Sequence, residues 1–146
     1  MPLSPVAFAE RFRSLFRRLG AMAYDTLLLA GLMIVPTVLI VIARGGEAVP
    51  SGDPTYQALL VLLTSAFYVT SWTRRRQTLG MRAWQLEVCD HEGRALSLTR
   101  AAGRLLASIL SLAPFALGYL WILVDPQGQA WHDRLTRTQV RFAANT

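Results

Sequence analysis

The sequence is poor in the residues that most catalytic and metal sites use. It contains no lysine, one cysteine (Cys89) and two histidines (His91 and His132) among 146 residues. A single cysteine forms neither an internal disulfide nor a thiolate metal site, and the two histidines lack the spacing of a known metal motif. No P-loop, G-x-S-x-G or G-x-G-x-x-G motif is present in the sequence. These absences predict that the protein is not an enzyme and uses no metal or cofactor.

Hydrophobic residues are abundant and are gathered into blocks. They make up 53% of the chain, and the mean hydropathy is +0.33. Blocks of this kind predict an all-α membrane protein. The net charge is +6, and the arginines that carry it lie between the apolar blocks. This placement favours a bilayer with anionic headgroups as the partner and argues against nucleic acid.

The first apolar block follows a basic segment. Residues 1–20 combine apolar positions at helical spacing with arginines, which predicts an amphipathic helix lying on the headgroups. Residues 21–43 then form the first predicted transmembrane span, in which Pro36 is tolerated as a kink. The apolar side of the amphipathic segment consists of Phe8, Phe12, Leu15, Phe16 and Leu19, and its polar side of Arg11, Arg13, Arg17 and Arg18.

A second span is predicted over residues 56–72. The preceding segment, residues 44–55, is rich in glycine and proline and is therefore a loop. Three arginines, Arg74 to Arg76, follow the span directly, and basic residues favour the cytoplasmic side. The sequence thus predicts a multi-pass protein of the bacterial cytoplasmic (inner) membrane, with two crossings and a cytoplasmic N-terminus.

Two short alternating runs predict a small β-hairpin-like element on the cytoplasmic side. Residues 84–89 alternate apolar and polar side chains and are followed by turn residues at 90–93. Residues 137–142 alternate in the same way. If the two runs pair as strands, both lie on one side of the membrane.

The third apolar block, residues 105–124, has two possible interpretations. Ser97 is a plausible N-cap for a helix to about Leu112, and Pro114 and Gly118 then interrupt the apolar run. A single span would place the C-terminus and its arginines outside, against the positive-inside rule. A hairpin broken at Pro114 would keep them inside, and the distribution of arginines favours it.

Asp25 is the residue of the first span most in need of a partner. It lies within the first two turns, where an ionisable side chain must face protein or a water-filled cavity. Two interpretations have equal weight: Asp25 joins two helices, or it handles an ion or proton. Arg104 borders a stripe of small residues suited to close helix packing, so we expect it to be the first-choice partner, with Arg134 second. The stripe consists of Gly103, Ala107 and Ser111.

Several patches together resemble the RDD family of small bacterial membrane proteins, named for one Arg and two Asp residues. Residues 17–25 are similar to the opening pattern of that family, residues 77–82 to its central glycine motif, and residues 132–138 to its closing pattern. The resemblance implies that Arg18, Asp25 and Asp133 are the naming residues and that a membrane domain covers residues 17–142. One departure is Arg137-Thr138, where the family usually has Gly-Thr.

The resemblance implies a transport role, which is the usual suggestion for this family. We expect a component that handles an ion, proton or small charged solute. Because so few spans cannot easily enclose a pathway, we also expect a homo-oligomer or a partner membrane protein. The alternative is an accessory or assembly protein that binds a membrane complex or anionic lipid and transports nothing. The predicted polar cluster is Arg18, Asp25, Arg104 and Asp133, with His132, Arg134, Gln77 and Gly80 as secondary candidates.

Overall fold

One long helix dominates the fold. The structure is a computed structural model that describes residues 5–143, with side chains from Phe8 onward, and 65% of it is helical. Helix α1 (Pro5–Ala43) has 39 residues and therefore runs for about 58 Å at a rise of 1.5 Å per residue. A hydrocarbon core is about 30 Å thick, so part of α1 extends beyond any membrane that it crosses.

The predicted boundary at Gly20 does not exist. Helix α1 continues through it, because a single glycine inside a helix costs only about 1 kcal/mol and does not end the helix. The first four residues of the predicted amphipathic segment lie outside the described residues. In the remainder, the rest of the chain buries Leu15 and Arg18, whereas Phe12 and Phe16 are exposed. The buried side of α1 consists of Leu15, Arg18, Ala21, Asp25 and Leu29.

Of the residues that the structure describes, one helix alone is long and apolar enough to cross a membrane. It is the stretch Phe8–Ala43 of α1, of which very little is buried by the rest of the chain. Helix α2 (Pro54–Arg74) begins at the N-cap Asp53 with Pro54 in the first turn. Threonines, serines and a glutamine recur along α2 and make it less apolar. The prediction of two secure crossings is therefore supported for α1 only.

A two-stranded sheet confirms the predicted strand pairing. After the short helix α3 (Leu79–Ala83), strand β1 (Leu86–Asp90) pairs antiparallel with strand β2 (Thr138–Phe142), and Val88 lies opposite Val140. The first strand begins two residues later than predicted, since Trp84 ends α3 and Gln85 has a positive φ of 55°. The sheet joins the middle of the chain to its end.

The third apolar block is bent, so a straight single span is wrong. Helix α4 (Leu98–Leu112) begins at its N-cap Ser97, and a four-residue break follows. Helix α5 (Leu117–Leu120) and the 3₁₀ turn Trp121–Leu123 then continue at 102° to α4. Besides Pro114, the break contains Phe115 and Ala116, both with positive φ. Proline removes a helical hydrogen bond, and the left-handed residues then reverse the chain.

The short helix α6 (Trp131–Leu135) lies between the bent block and β2. It packs mainly against α4, whereas α1 packs mainly against α3 and the 3₁₀ turn. Arg11 of α1 also donates to the carbonyl oxygen of Pro126 at 2.9 Å, beyond that turn. Helix α3 and the 3₁₀ turn therefore lie against α1.

Candidate functional site

Asp133 lies at the centre of a buried ionic cluster. Helix α6 holds its side chain with no solvent exposure. Arg18 Nη1 donates to Oδ2 at 2.5 Å, and Arg104 Nη1 lies 2.6 Å from Oδ1, close enough for an ion pair but not aligned as a hydrogen bond. The backbone N–H of Ala130 also donates to Oδ2 at 3.2 Å. One carboxylate thus links α1, α4 and α6.

Two arginines against one carboxylate leave this cluster with an excess positive charge. Burial alone raises the pKa of the Asp133 carboxyl, but the guanidiniums of Arg18 and Arg104 outweigh it and hold the pKa below its ordinary value. Arg104 also donates to Thr138 Oγ1 at the start of β2. Because buried charges are costly when unpaired, removing the carboxylate would leave two guanidiniums without compensation.

His132 is buried beside the cluster and is neutral at physiological pH. Its Nδ1 lies 3.2 Å from Ser111 Oγ, and its ring centre lies 4.6 Å from that of Tyr119. Burial, followed by the nearby Arg104 guanidinium, lowers the pKa of His132 to about 3. The side chain therefore contributes a hydrogen bond and ring contacts, and it adds no charge to the cluster at pH 7.

Asp25 has partners other than those predicted from the sequence. Its Oδ2 accepts the Thr78 hydroxyl at 2.5 Å, and its Oδ1 accepts the Gly80 backbone N–H at 2.8 Å. The expected pairing with Arg104 or Arg134 is therefore wrong. The reason is that α3 packs closely against α1, so that neutral donors at the start of α3, and not an arginine, bind the carboxylate.

Arg134 and the stripe of small residues also have other neighbours than expected. Arg134 Nη1 pairs with Asp125 Oδ1 at 2.9 Å. Ala107 and Ser111 of the stripe are buried, and they lie on the side of α4 that faces α5 and α6. A Cβ atom on Gly118 of α5 would lie 2.7 Å from the Ser111 Cα. The return of the chain after Pro114 therefore covers the stripe that we expected to contact the Asp25 side of α1.

Ionisable residues of the Asp133 cluster and of the contact between Asp25 and α3 line a single cavity of about 220 Å³. Arg18 and Arg104 line it from the Asp133 cluster, and Asp25 lines it from the contact with α3. Its other walls are mainly apolar, and they include Ile109 and Leu112, which are more than half exposed. Three of the four residues of the predicted cluster thus line one space, whereas Asp133 contacts two of them from behind and the two acids have separate partners. Within residues 8–143, no group of three His, Cys, Asp or Glu side chains is arranged for a metal ion.

Apart from Arg134, the secondary candidates fall in three places. His132 lines the cavity; Gly80 contacts Asp25; and Gln77 lines a separate groove at the end of α2. Reasoning from the sequence missed Thr78 and Asp125, both of which are buried and hydrogen-bonded. Thr78 precedes a short helix as N-cap, and Asp125 precedes a proline, so capping and turn signals could have identified them.

Comparison with known proteins identifies the family. Neither the curated protein sequences nor the solved structures that were compared gave a match to this chain. The family model described as "RDD family" matches residues 12–137, which is most of the chain. That range contains Arg18, Asp25, Arg104 and Asp133, the residues described above. The chain belongs to the RDD family.

Proposed function

We propose that this protein is a membrane transport component for an ion, proton or small charged solute, and that it acts as an oligomer. The observation that carries the proposal is the cavity lined by Arg18, Asp25 and Arg104. Ionisable groups around an internal space are expensive in a membrane protein and mark pathways for charged species. The neutral His132 also lines this cavity and supplies a further polar contact.

The proposed oligomer rests on the size of the chain, since one chain of this size does not enclose a path across a bilayer. The apolar side chains of α1 from Leu27 to Ile42 are largely exposed and are available to lipid or to a second copy. A second copy that completes such a path would pack beside the cavity, whose wall residues Ile109 and Leu112 are exposed.

The proposed topology has α1 and α2 crossing the cytoplasmic membrane and the α4–α5 block entering and leaving on the cytoplasmic side. Two observations support this topology. A single arginine lies between α1 and α2, and strands β1 and β2 pair in one sheet. Because β1 precedes the bent block and β2 follows it, pairing of the strands keeps both ends of that block on one side.

Flux measurements in liposomes test the transport role. Purified protein would be reconstituted with an internal pH dye, and proton movement would be followed after gradients of Na⁺, K⁺ or Cl⁻ are applied. We expect flux above that of empty liposomes, and loss of at least tenfold in an Asp25→Asn variant. The matched control is Leu27→Ala, on the same helix but 75% exposed, which should retain flux. Equal flux in both variants would contradict the role of the cavity.

Cysteine labelling tests the topology. A cysteine at Gly46 should react with an impermeant reagent from outside intact cells, whereas one at Gly93 should react only after the cells are opened. A tag after Thr146, beyond the described residues, should be cytoplasmic. Labelling of Gly93 from outside would reverse the orientation.

A non-transporting accessory role is the second candidate, and a specific observation favours it. Asp25 joins α1 to the start of α3, and the ion pairs of Asp133 join α6 to α1 and α4, as expected for groups that hold the fold together. In that case neither the wild type nor Asp25→Asn would show flux in liposomes. Co-purification of a defined membrane complex with the wild type would then support the accessory role.

A further inference from the structure

A groove lies where α2 ends and α3 begins. Its volume is about 450 Å³, and Thr78 alone is shared with the lining of the cavity beside Asp133. The last turns of α2 form one wall, and the first residues of α3 form the other. Its lining residues are Ser71, Arg75, Gln77, Thr78, Leu79 and Arg82.

The groove carries two positive charges and no negative charge. Arg75 and Arg82 are exposed, and neither has a carboxylate partner among the residues that the structure describes. Their neighbour Arg76 differs, since it lies 3.7 Å from Glu87 and donates to the Gly93 carbonyl oxygen at 2.9 Å. No acidic side chain lines the groove. A singly or doubly charged anion would therefore find two free guanidiniums there.

The position of the groove specifies the kind of anion. In the topology proposed above, on which this inference rests, α2 ends at the cytoplasmic face of the membrane, so the groove lies at the depth of lipid headgroups. Leu79, which is 43% exposed, lies in the groove wall beside the arginines. An exposed apolar side chain next to free cations suits a ligand with an anionic head and a hydrocarbon tail.

We propose that this groove is a binding site for the phosphodiester headgroup of an anionic phospholipid. A guanidinium presents a planar pair of N–H donors that matches two phosphate oxygens, and Arg75 and Arg82 supply two such groups. Gln77 and Ser71 offer hydrogen bonds to hydroxyls on the headgroup. The site depends on the proposed topology but not on transport, since a lipid bound here needs no access to the cavity.

Binding of phosphatidylglycerol to the full-length protein tests the proposal. The protein would be placed in nanodiscs of phosphatidylcholine with increasing phosphatidylglycerol, and the retained phosphatidylglycerol would be counted by native mass spectrometry. We expect the double variant Arg75→Gln/Arg82→Gln to need about tenfold or more phosphatidylglycerol for the same occupancy. The variant Arg75→Lys/Arg82→Lys should fall between it and the wild type, because it keeps the charges and loses the planar donor pairs.

The matched control is Arg13→Gln/Arg74→Gln. It removes two exposed arginines that do not line the groove, so occupancy should change less than twofold. An equal loss in both double variants would show a general surface charge effect and overturn the site. Displacement of the lipid by millimolar inorganic phosphate would also overturn it, because the groove would then be a site for free phosphate.

Discussion

Gly80 and Asp25 form the contact that joins the short helix α3 to α1. The Gly80 N–H donates to Asp25 Oδ1 at 2.8 Å, and a Cβ atom at Gly80 would lie 2.8 Å from the Asp25 Cγ. It would come still closer to the carbonyl oxygen of Ala21. The hydrogen bond therefore requires a residue without a side chain. This lack of space explains why position 80, two residues after Thr78, is a glycine.

Replacing Gly80 by alanine should destabilise the protein by about 1–3 kcal/mol, because the added methyl group forces α3 away from Asp25. The measurement is unfolding by heat or denaturant in detergent. Gly31→Ala is the control: Gly31 lies in α1 with nothing within 4 Å of its added Cβ, so alanine there should stabilise by about 0.5–1 kcal/mol through helix propensity. Equal effects of the two substitutions would show that the close approach of α3 does not matter.

The ion pair of Arg18 with Asp133 should behave as a coupled unit. Asp133→Ala leaves two buried guanidiniums without a carboxylate, and we expect a loss of about 3–5 kcal/mol. Adding Arg18→Met to that variant removes one uncompensated charge. The double variant should therefore be more stable than the sum of the single losses predicts, by about 0.5–3 kcal/mol.

The pair Arg94 and Glu92 is the control for this double-mutant cycle. Its N–O distance is 2.7 Å, similar to that of the buried pair, but both side chains are about two-thirds exposed. Exposed pairs in water contribute little, so this cycle should give almost no coupling. Strictly additive losses at Arg18 and Asp133 would mean that their charges do not stabilise one another.

Elements whose signals are local could be predicted from the sequence. Ser97 as an N-cap, the break at Pro114 and the strand character of the two alternating runs all depend on neighbouring residues and on period-two patterning. The partner of Asp25 could not be predicted in this way. The free-energy cost of burial implies that a buried acid needs hydrogen-bonding or charged partners. It does not indicate whether the partner is a distant arginine or a threonine and a backbone N–H.

The helix boundary near the membrane and the partners of Asp133 also could not be predicted from neighbouring residues alone. The change from a basic amphipathic segment to an apolar block suggested a boundary after residue 20, whereas α1 is continuous there and the Trp84 ring packs against Gly20. For Asp133 the family pattern marked the residue but not its partners. Its pairing with both Arg18 and Arg104 depends on the return of the chain after Pro114, a long-range feature that helical periodicity does not describe.

Arg137 has a backbone conformation that glycine adopts more easily. Its φ is 51°, in the left-handed region. The closing RDD pattern, which this segment resembles, usually has glycine at this position. Arg137→Gly should stabilise the protein by about 0.5–1 kcal/mol, since it removes the Cβ strain. Arg137→Ala is the matched control, because it removes the charge and keeps the Cβ atom. A gain in the alanine variant equal to that in the glycine variant would assign the effect to charge.

His132 should make the stability of the protein depend on pH. Its pKa is about 3 in the folded state against an ordinary value of 6.5, so between these values the unfolded chain binds more protons. Stability should therefore be highest above pH 6.5 and fall as the pH is lowered, by at most about 1.4 kcal/mol per pH unit. Thermal unfolding in detergent between pH 7 and pH 5 covers the upper part of this range, before most carboxylates titrate.

A His132→Gln variant should lose this slope, even if it is less stable at pH 7. The control His91→Gln replaces an exposed histidine in the turn after β1 and should keep the wild-type slope. The same slope in His132→Gln as in the wild type would show that His132 is not buried in a neutral form.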